Sequence, residues 1–234
     1  MLRLLMCLLL IAPLARAETP TLGYPESKRW LHRANSVDKA QDGLRRYPGV
    51  EVDVVYYQGI DRFDVRHRWL AMPSGLTLDE LLGQLDGRPR VWVDFKNATW
   101  WNAPSAGRRL VVLAQRHGLA GRVIAEAKSA RVLARMSAEG VPVSFWLPQF
   151  DVNAPPERLA QRATRLRTTL RRFNIEVVSA SHLYADFIAE HLPEFRAHIW
   201  TNGLKLPRDE PAVARLEGFD NVRVILVDER RSEN

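Results

Sequence analysis

Eight apolar runs of strand length follow one another along the chain, and segments with a helical spacing of apolar residues separate them. The strand candidates are residues 29–32, 50–57, 90–96, 122–128, 142–148, 175–181, 197–202 and 222–229. The helix candidates lie at about 36–46, 77–86, 105–118, 129–139, 156–173, 184–191 and 209–217. Strands that alternate with helices predict parallel βαβ units, because each helix carries the chain back to the start of the next strand.

Two of the helix candidates begin with recognisable capping residues. Thr77 opens "TLDELLGQL" and is followed three residues later by Glu80, which is the spacing of a capping box. Ser129 opens "SARVLARMSAEG", and Gly140 stands just past the last apolar residue of that segment. Both signals agree with the helix starts that the apolar spacing predicts.

Eight parallel strands are the number that closes a sheet into a TIM barrel. We therefore predict an α/β fold with one domain, a TIM-type (β/α)8 barrel over residues 29–230. An open, doubly wound sheet is the alternative. The chain contains no G-x-G-x-x-G or phosphate-loop motif, which weakens the nucleotide-binding form of that alternative.

The first 17 residues have a pattern of their own. The segment "MLRLLMCLLLIAPLARA" has one early arginine, an apolar run and small residues around Arg16, which is typical of a cleavable export signal. A retained N-terminal anchor is the alternative, although the apolar run is short for a membrane span. We expect cleavage near Ala17, a loose mature N-terminus over residues 18–28, and a periplasmic or secreted protein.

Composition narrows the classes of partner. Cys7 is the only cysteine and lies within the signal, so the mature chain would have no thiol for a disulfide, a zinc site or a nucleophile. The formal charge of +7 becomes +5 without Arg3 and Arg16. This basic balance favours an anionic partner, a phosphorylated substrate or a membrane surface. We expect a small molecule as ligand, with no nucleic acid and no obligate protein partner.

Polar side chains interrupt the predicted strands where a barrel places its active site. Glu51 and Asp53 alternate with valines, so they share one face of the second strand. Six side chains that can carry chemistry lie at or near the ends of the first three strands: His32, Glu51, Asp53, His67, Asp94 and Lys96. The carboxyl ends of barrel strands meet at one mouth, so we expect these groups to converge there.

These groups suit chemistry on a phosphate ester. The carboxylates of Glu51, Asp53 and Asp94 are hard oxygen ligands for Mg²⁺ or, as a second choice, Ca²⁺, and such a cation would offset their mutual repulsion. Lys96 would bind a phosphate oxygen, and two histidines would divide the acid, base or nucleophilic work. The structural alternative pairs Glu51 and Asp53 with arginines in the barrel floor and makes Asp94 and Lys96 a simple ion pair.

Further side chains around the same mouth are expected to bind the substrate. They are Arg33, Asn35, Glu126, Lys128, Trp200 and Asn202. Glu126 and Lys128 share the inner face of the fourth strand, and Trp200 is a candidate for the pocket wall. The tryptophans of "TWWN", residues 99–102, are candidates for contact with a lipid or an apolar group of the substrate, with loop packing as the alternative.

The segments "HRAN", "VEVDV", "VRH" and "VDFK" resemble the glycerophosphodiester phosphodiesterase superfamily of TIM barrels. A closer resemblance, dense over residues 29–102, is to the menorin branch of that superfamily, which also has a "TLDE" helix. The resemblance implies a metal-dependent phosphodiesterase in which the site residues have separate roles. The catalytic residues would be His32, His67 and Lys96, and the metal ligands would be Glu51, Asp53 and Asp94.

The chain also departs from the diesterase pattern. Ala34 and Asn35 stand where that pattern has a glycine and then a glutamate–asparagine pair, and Arg68 replaces an aspartate. Two hypotheses follow. The first is an exported phosphodiesterase acting on a glycerophosphodiester or a lysophospholipid-like molecule. The second is a catalytically weak, menorin-like module that binds a ligand or partner through the same pocket. A sugar hydrolase is a weaker third, because the paired carboxylates share one strand.

Overall fold

A computed structural model describes residues 22–229 of the chain. Its helices are α1 (Val37–Leu44), α2 (Leu78–Gly83), α3 (Ala103–Arg116), α4 (Ala130–Ala138), α5 (Pro156–Arg172), α6 (Ala185–His191) and α7 (Glu210–Glu217). Its strands are β1 (Arg29–Leu31), β2 (Gly49–Tyr57), β3 (Arg62–Val65), β4 (Arg90–Phe95), β5 (Val123–Ala127), β6 (Val143–Trp146), β7 (Val177–Ser181), β8 (Arg196–Leu206) and β9 (Val222–Glu229). Single turns of 3₁₀ helix span Gln58–Ile60 and His182–Tyr184.

Eight of the strands form a closed parallel barrel. Every barrel strand pairs in parallel with its neighbours, in the order β1, β9, β8, β7, β6, β5, β4, β2. The ring closes because β1 also pairs with β2, where Leu31 lies opposite Val50. The predicted TIM-type barrel and its eight strand and seven helix candidates are therefore confirmed, and the open sheet is wrong.

The strand that the apolar pattern did not predict is β3. It pairs antiparallel with β2, from Val54 opposite Val65 to Tyr57 opposite Arg62. The turn between them ends at Asp61, whose φ of 48° is left-handed. Phe63 packs its ring 4.6 Å from that of Tyr56, so the hairpin is tied down by apolar contact.

The capping residues act as the sequence predicts. The Thr77 hydroxyl accepts a hydrogen bond from the Glu80 amide at 3.1 Å, and the Glu80 carboxylate accepts one from the Thr77 amide at 2.8 Å. The Ser129 hydroxyl accepts from the Val132 amide at 3.4 Å. Each cap satisfies amides that the first turn of a helix leaves without a partner, which sets where α2 and α4 begin.

Two apolar layers hold the barrel together. Val50, Val52 and Val54 are fully buried and point outward from β2 into the layer between strands and helices. A separate cluster fills the inside of the barrel: Leu22, Trp30, Trp92, Ile124, Val177, Val224 and Leu226. The indole of Trp30 passes so close to Gly49 that no side chain fits there. The floor of the barrel is thus a packed apolar plug, and the polar residues lie above it.

The described part of the N-terminal segment packs against this floor. Leu22 is buried in the interior cluster, and the Tyr24 hydroxyl lies 3.0 Å from Nε2 of His198. Leu22 and Tyr24 therefore close the amino end of the barrel. Residues 18–21 of the N-terminus that we expect to be loose lie outside the described residues. The export signal of residues 1–17 lies outside the described residues and stays a prediction.

One histidine lies inside the apolar plug. His198 is fully buried, and its ring centroid is 4.9 Å from that of Trp92. Burial, with a smaller contribution from the charge of Arg196, lowers the pKa of His198 to about 3. The imidazole is therefore neutral at physiological pH. Among residues 22–229, no helix has the length and apolar character needed to cross a membrane.

We expect Gly49→Ala to destabilise the fold by about 1–3 kcal/mol, the usual cost of overpacking. The new methyl group would lie 2.6 Å from Cδ2 of Trp30 and 2.9 Å from the backbone oxygen of Arg90. Urea unfolding measures the change in the free energy of unfolding. Gly59→Ala is the control, because a Cβ there meets nothing within 4 Å. Equal stability of the two variants would contradict the close packing at Trp30.

The buried histidine predicts how stability depends on pH. The folded-state pKa of His198 is about 3, below its ordinary value of 6.5, so the unfolded chain binds the proton more readily between these values. Stability should therefore fall as the pH drops from 6.5 towards 3, by about 1.4 kcal/mol per pH unit from this group. In His198→Gln, unfolding free energies across that range should show a slope shallower by this amount.

The control for this measurement is His191→Gln on α6, which removes a histidine outside the barrel interior. It should keep the steep wild-type dependence. If His198→Gln and wild type lose stability equally on acidification, then His198 does not set the slope.

Candidate functional site

Three carboxylates meet inside the barrel above its apolar floor. Asp53 on β2 lies opposite Asp94 on β4, and Glu51 lies opposite Trp92. This register turns the side chains of Glu51, Asp53 and Asp94 into the barrel, where each is at most 9% exposed. One oxygen from each carboxylate lies within 4.8 Å of the others. The convergence that strand alternation predicts is therefore present.

One ammonium group neutralises part of this negative charge. The Nζ of Lys96 lies 2.5 Å from Oδ1 of Asp53 and also hydrogen-bonds to Asp94. Burial opposes the charge on Lys96, but Asp94 and Asp53 together raise its pKa above the ordinary value. Lys96 is therefore a firmly charged cation. The structural alternative assigned arginines of the barrel floor as counter-ions of Glu51 and Asp53. The structure instead places Lys96 next to Asp53, and Lys96 also forms the ion pair with Asp94 that this alternative predicted.

The negative charge that Lys96 does not offset acts on Glu51. Burial, together with the charges of Asp53 and Asp94, raises the pKa of Glu51 well above its usual range. Burial also raises the pKa of Asp94, although Lys96 acts in the opposite direction. Without a further cation, burial and the neighbouring carboxylates therefore favour the protonated form of Glu51.

The turn after β1 positions two of the acids. Arg33 has a left-handed φ of 52°, and this conformation aims its amide at Oε2 of Glu51, 2.7 Å away. The Asn35 side chain accepts from the Asp53 amide at 2.9 Å and donates to Oδ2 of the same residue at 2.6 Å. Asn35 thus fixes both the backbone and the carboxylate of Asp53. Its predicted role in substrate binding is replaced by one in positioning.

The first histidine is oriented by an acid on the last strand. Nδ1 of His32 lies 3.0 Å from Oδ1 of Asp228, and its Nε2 lies 3.8 Å from Oε2 of Glu51. Burial acts to raise the pKa of Asp228, but the hydrogen bond and charge of His32 outweigh it and lower that pKa. Asp228 is therefore an anion that accepts the Nδ1 proton and leaves Nε2 facing the pocket.

The second histidine reaches the pocket because β3 runs back along β2. The Arg66 amide donates to the backbone oxygen of Asp53 at 2.9 Å, and its guanidinium donates to the Tyr57 hydroxyl at 2.6 Å. These bonds bring His67 to the pocket rim, where it is exposed. Partial burial lowers the pKa of His67, although the charge of Asp53 opposes the shift. The antiparallel strand is thus the element that places this imidazole.

The pocket at the mouth has a volume of about 380 Å³, including its open side. Its lining consists of His32, Arg33, Glu51, Asp53, His67, Trp92, Asp94, Lys96, Glu126, Trp146, Trp200, Asn202 and Leu226. Burial raises the pKa of Glu126 well above its usual range, and the charge of Asp94 adds to the shift. All six predicted catalytic and metal-binding side chains therefore surround one hollow, with the buried carboxyl group of Glu126 beside them.

The predicted substrate-binding residues divide into two groups. Arg33, Glu126, Trp200 and Asn202 line the pocket. Lys128 does not, because its ammonium stacks over the ring of Trp146 at 4.3 Å, on the exposed side. Trp146 is the wall residue that sequence reasoning missed, and its ring lies 4.8 Å from that of Trp200, edge to face. Its alternation with Phe145 on β6 was the signal for an inward position.

The donor set fits a hard divalent cation. Glu51, Asp53 and Asp94 supply carboxylate oxygens, the ligands that Mg²⁺ and Ca²⁺ prefer. Oε1 of Glu51 is buried, and within residues 22–229 no donor reaches it. A buried acceptor without a partner is costly, and a cation would satisfy it.

The fold and the position of these side chains define a TIM barrel with a candidate active site at the carboxyl ends of its strands. No protein-family model and no curated protein matches the chain. Solved structures do match, and several glycerophosphodiester phosphodiesterases are among them. A glycerophosphodiester phosphodiesterase from Parabacteroides distasonis is 15% identical, with a TM-score of 0.59 over 88% of this chain and 94% of that one.

Two further structures give the same result. A phosphodiesterase from Oleispira antarctica, in complex with the product sn-glycerol-3-phosphate, has a TM-score of 0.61 at 10% identity over 86% of this chain and 93% of that one. A glycerophosphodiester phosphodiesterase from Thermotoga maritima has a TM-score of 0.59 at 10% identity, over 88% and 96%. This likeness shows the fold that the chain shares with them. The menorin-like branch stays a prediction.

We expect the lysine, more than the glutamate, to stabilise the cation-free protein. Lys96→Met should lower the free energy of unfolding by about 3–5 kcal/mol, because it leaves buried carboxylates without a counter-charge. Glu51→Gln should change it by about 1 kcal/mol or less, because burial already disfavours the charged form of Glu51 and an amide oxygen can still accept from the Arg33 amide. Urea unfolding in the presence of a chelator measures both. If Lys96→Met were no less stable than Glu51→Gln, this distribution of charge would be wrong.

Proposed function

We propose that the protein is an exported, metal-dependent phosphodiesterase that hydrolyses a glycerophosphodiester or a lysophospholipid-like diester. The observation that carries the proposal is the single pocket shared by Glu51, Asp53, Asp94, His32 and His67. The names of the structural neighbours support the same reaction class, and the Oleispira antarctica enzyme was solved with a glycerol phosphate. The export signal at residues 1–17 supports a periplasmic or secreted location.

The three carboxylates would hold the cation, with Mg²⁺ as the first choice and Ca²⁺ as the second. A bound divalent ion polarises a phosphoryl oxygen and neutralises charge that develops there. Lys96 would supply a second positive group for a non-bridging phosphate oxygen, since a bound cation would offset the charge of the two acids that hold it. Arg33 and Asn202 line the same pocket, where they would donate hydrogen bonds to the diester.

The two histidines divide the proton transfers. Asp228 accepts the Nδ1 proton of His32, which leaves Nε2 as the base that takes a proton from water, or as the nucleophile at phosphorus. His67, at the rim of the same pocket, donates a proton to the leaving alcohol as the phosphorus–oxygen bond breaks. Trp146 and Trp200 form the apolar wall beside this centre and suit the carbon chain of a diester.

The binding module without strong catalysis is the second candidate. The observation that favours it is the position of Lys96, which bridges Asp53 and Asp94 and supplies these acids with a counter-charge from the chain itself. Arg68 adds to this reading, because it removes the aspartate that would orient the second histidine in the diesterase pattern. Under this hypothesis the pocket binds a cation and a phosphate ligand but does not turn it over.

Two substitutions separate these functions. We expect Asp53→Asn to abolish Mg²⁺ and Ca²⁺ binding in calorimetry and to abolish hydrolysis of glycerophosphodiesters, because it removes a ligand at the centre of the group. His32→Gln should bind the cation as wild type does and lower kcat by about 10²–10⁴-fold, the usual contribution of a general acid or base. Asp42→Asn on the exposed face of α1 is the control and should match wild type.

Two results would count against the enzyme. Wild-type protein that binds a cation and a phosphate ligand but hydrolyses no diester with Mg²⁺ or Ca²⁺ supports the binding module. Hydrolysis that persists in Asp53→Asn would show that the acidic group does not carry the reaction.

A further inference from the structure

Large exposed apolar side chains are concentrated at one end of the barrel. Four of them follow the carboxyl ends of barrel strands: Ile60, Trp100, Trp101 and Leu183. Three more, Trp69, Leu70 and Met72, lie in the loop that brings His67 to the pocket rim. The most exposed are Met72 at 86%, Trp101 at 80% and Leu70 at 79%. Elsewhere in the described chain, Val112 on α3 is the one other large apolar side chain that is exposed. Such a concentration marks an interaction surface.

The loop between β3 and α2, residues 66–77, is built to display these groups. The Arg66 guanidinium donates to the backbone oxygen of Ala71 at 2.5 Å, and Asp64 accepts from the amide and the hydroxyl of Ser74, both at 3.3 Å. Arg66 also lies 3.3 Å from Asp64, which links the two anchors. The loop is therefore held from below while Trp69, Leu70 and Met72 point away from the core.

Basic side chains surround the apolar ones. Arg135 and Arg131 of α4 lie over the Trp100 ring at 4.1 and 5.5 Å, and Arg68 lies within the loop beside Trp69. Within residues 22–229, no acidic side chain comes within ion-pair distance of Arg68 or Arg131. Tryptophan and arginine together match the interface of a bilayer with anionic headgroups, where rings enter the boundary and cations meet phosphate.

We propose that this face docks on an anionic phospholipid bilayer, with the 66–77 loop and Trp101 entering the headgroup region. His67 belongs to the same loop, so docking places the pocket directly above the lipid phosphates. The inference rests on the proposed function and narrows its substrate class to a diester taken from a membrane surface. A soluble diester would need neither the exposed tryptophans nor the basic rim.

Vesicle sedimentation tests the docking without any turnover. The full chain is mixed with vesicles of phosphatidylcholine, or of an equal mixture of phosphatidylcholine and phosphatidylglycerol. Wild type should bind the mixed vesicles at least about tenfold more tightly, because each basic residue near an anionic surface contributes about a fivefold factor. The W69S/L70S/M72S variant should lose at least about tenfold in binding to the mixed vesicles.

Two further variants separate the contributions. Arg68→Gln with Arg131→Gln should remove most of the preference for phosphatidylglycerol. Val112→Ser is the matched control on α3 and should bind as wild type does. The triple serine variant changes only exposed side chains, and an unchanged melting temperature shows that it folds. Residues 1–17 are the same in wild type and in all variants, so any difference in vesicle binding comes from the substituted side chains.

Activity assays distinguish a failure of docking from a failure of the proposed function. The triple serine variant should hydrolyse soluble glycerophosphocholine as wild type does and hydrolyse lysophosphatidylcholine in mixed vesicles at least about tenfold more slowly. Wild type that hydrolyses the soluble diester but does not bind vesicles overturns the docking. Wild type that binds them but hydrolyses neither substrate overturns the proposed function and supports the docking.

Two other outcomes would also overturn the membrane assignment. Binding of the triple serine variant equal to that of wild type would show that the loop does not insert. A dimer in sedimentation velocity that the same variant converts to a monomer would show that the face joins two copies of the chain.

Discussion

The attraction between one lysine and two aspartates inside the barrel is the interaction on which the site depends. Lys96 bridges Asp53 and Asp94, while burial and the charges of the two aspartates raise the pKa of Glu51. Three acids this close are tolerable only in a rigid frame that holds the cationic group against them. The parallel register of β2 and β4 supplies that frame, because it sets Asp53 directly opposite Asp94.

The barrel interior stabilises the fold in its lower half and holds the pocket in its upper half. The lower half is an apolar plug of indoles and branched side chains, closed from below by Leu22 and Tyr24. The upper half is polar, and its buried acids lie on top of that plug with little access to water. Low polarity beneath the site raises the pKa values of Glu51 and Glu126, so the packing that stabilises the fold also sets the charge of the pocket.

Strand periodicity made much of this predictable. Because alternate residues share a face, the inward placement of Glu51, Asp53 and Asp94 followed from their positions among valines. Periodicity could not predict β3, which is four residues long, or the path of the chain after Leu31, where a left-handed residue turns Asn35 towards Asp53. Lys128 lies beyond the last residue of β5, where the alternation no longer sets the direction of a side chain.

The joint that closes the ring of strands is also its thinnest. Between β1 and β2 there is one register pair, Leu31 with Val50, extended by a bond of 2.7 Å from the Ala34 amide to the Glu51 backbone oxygen. His32 directly follows β1 on one side of this joint, and Glu51 lies on β2 on the other side. Brief opening of the barrel at this joint would part the imidazole from the acids while leaving the β2–β4 pairing whole, so the first amides to exchange with solvent should mark the pocket side of the molecule.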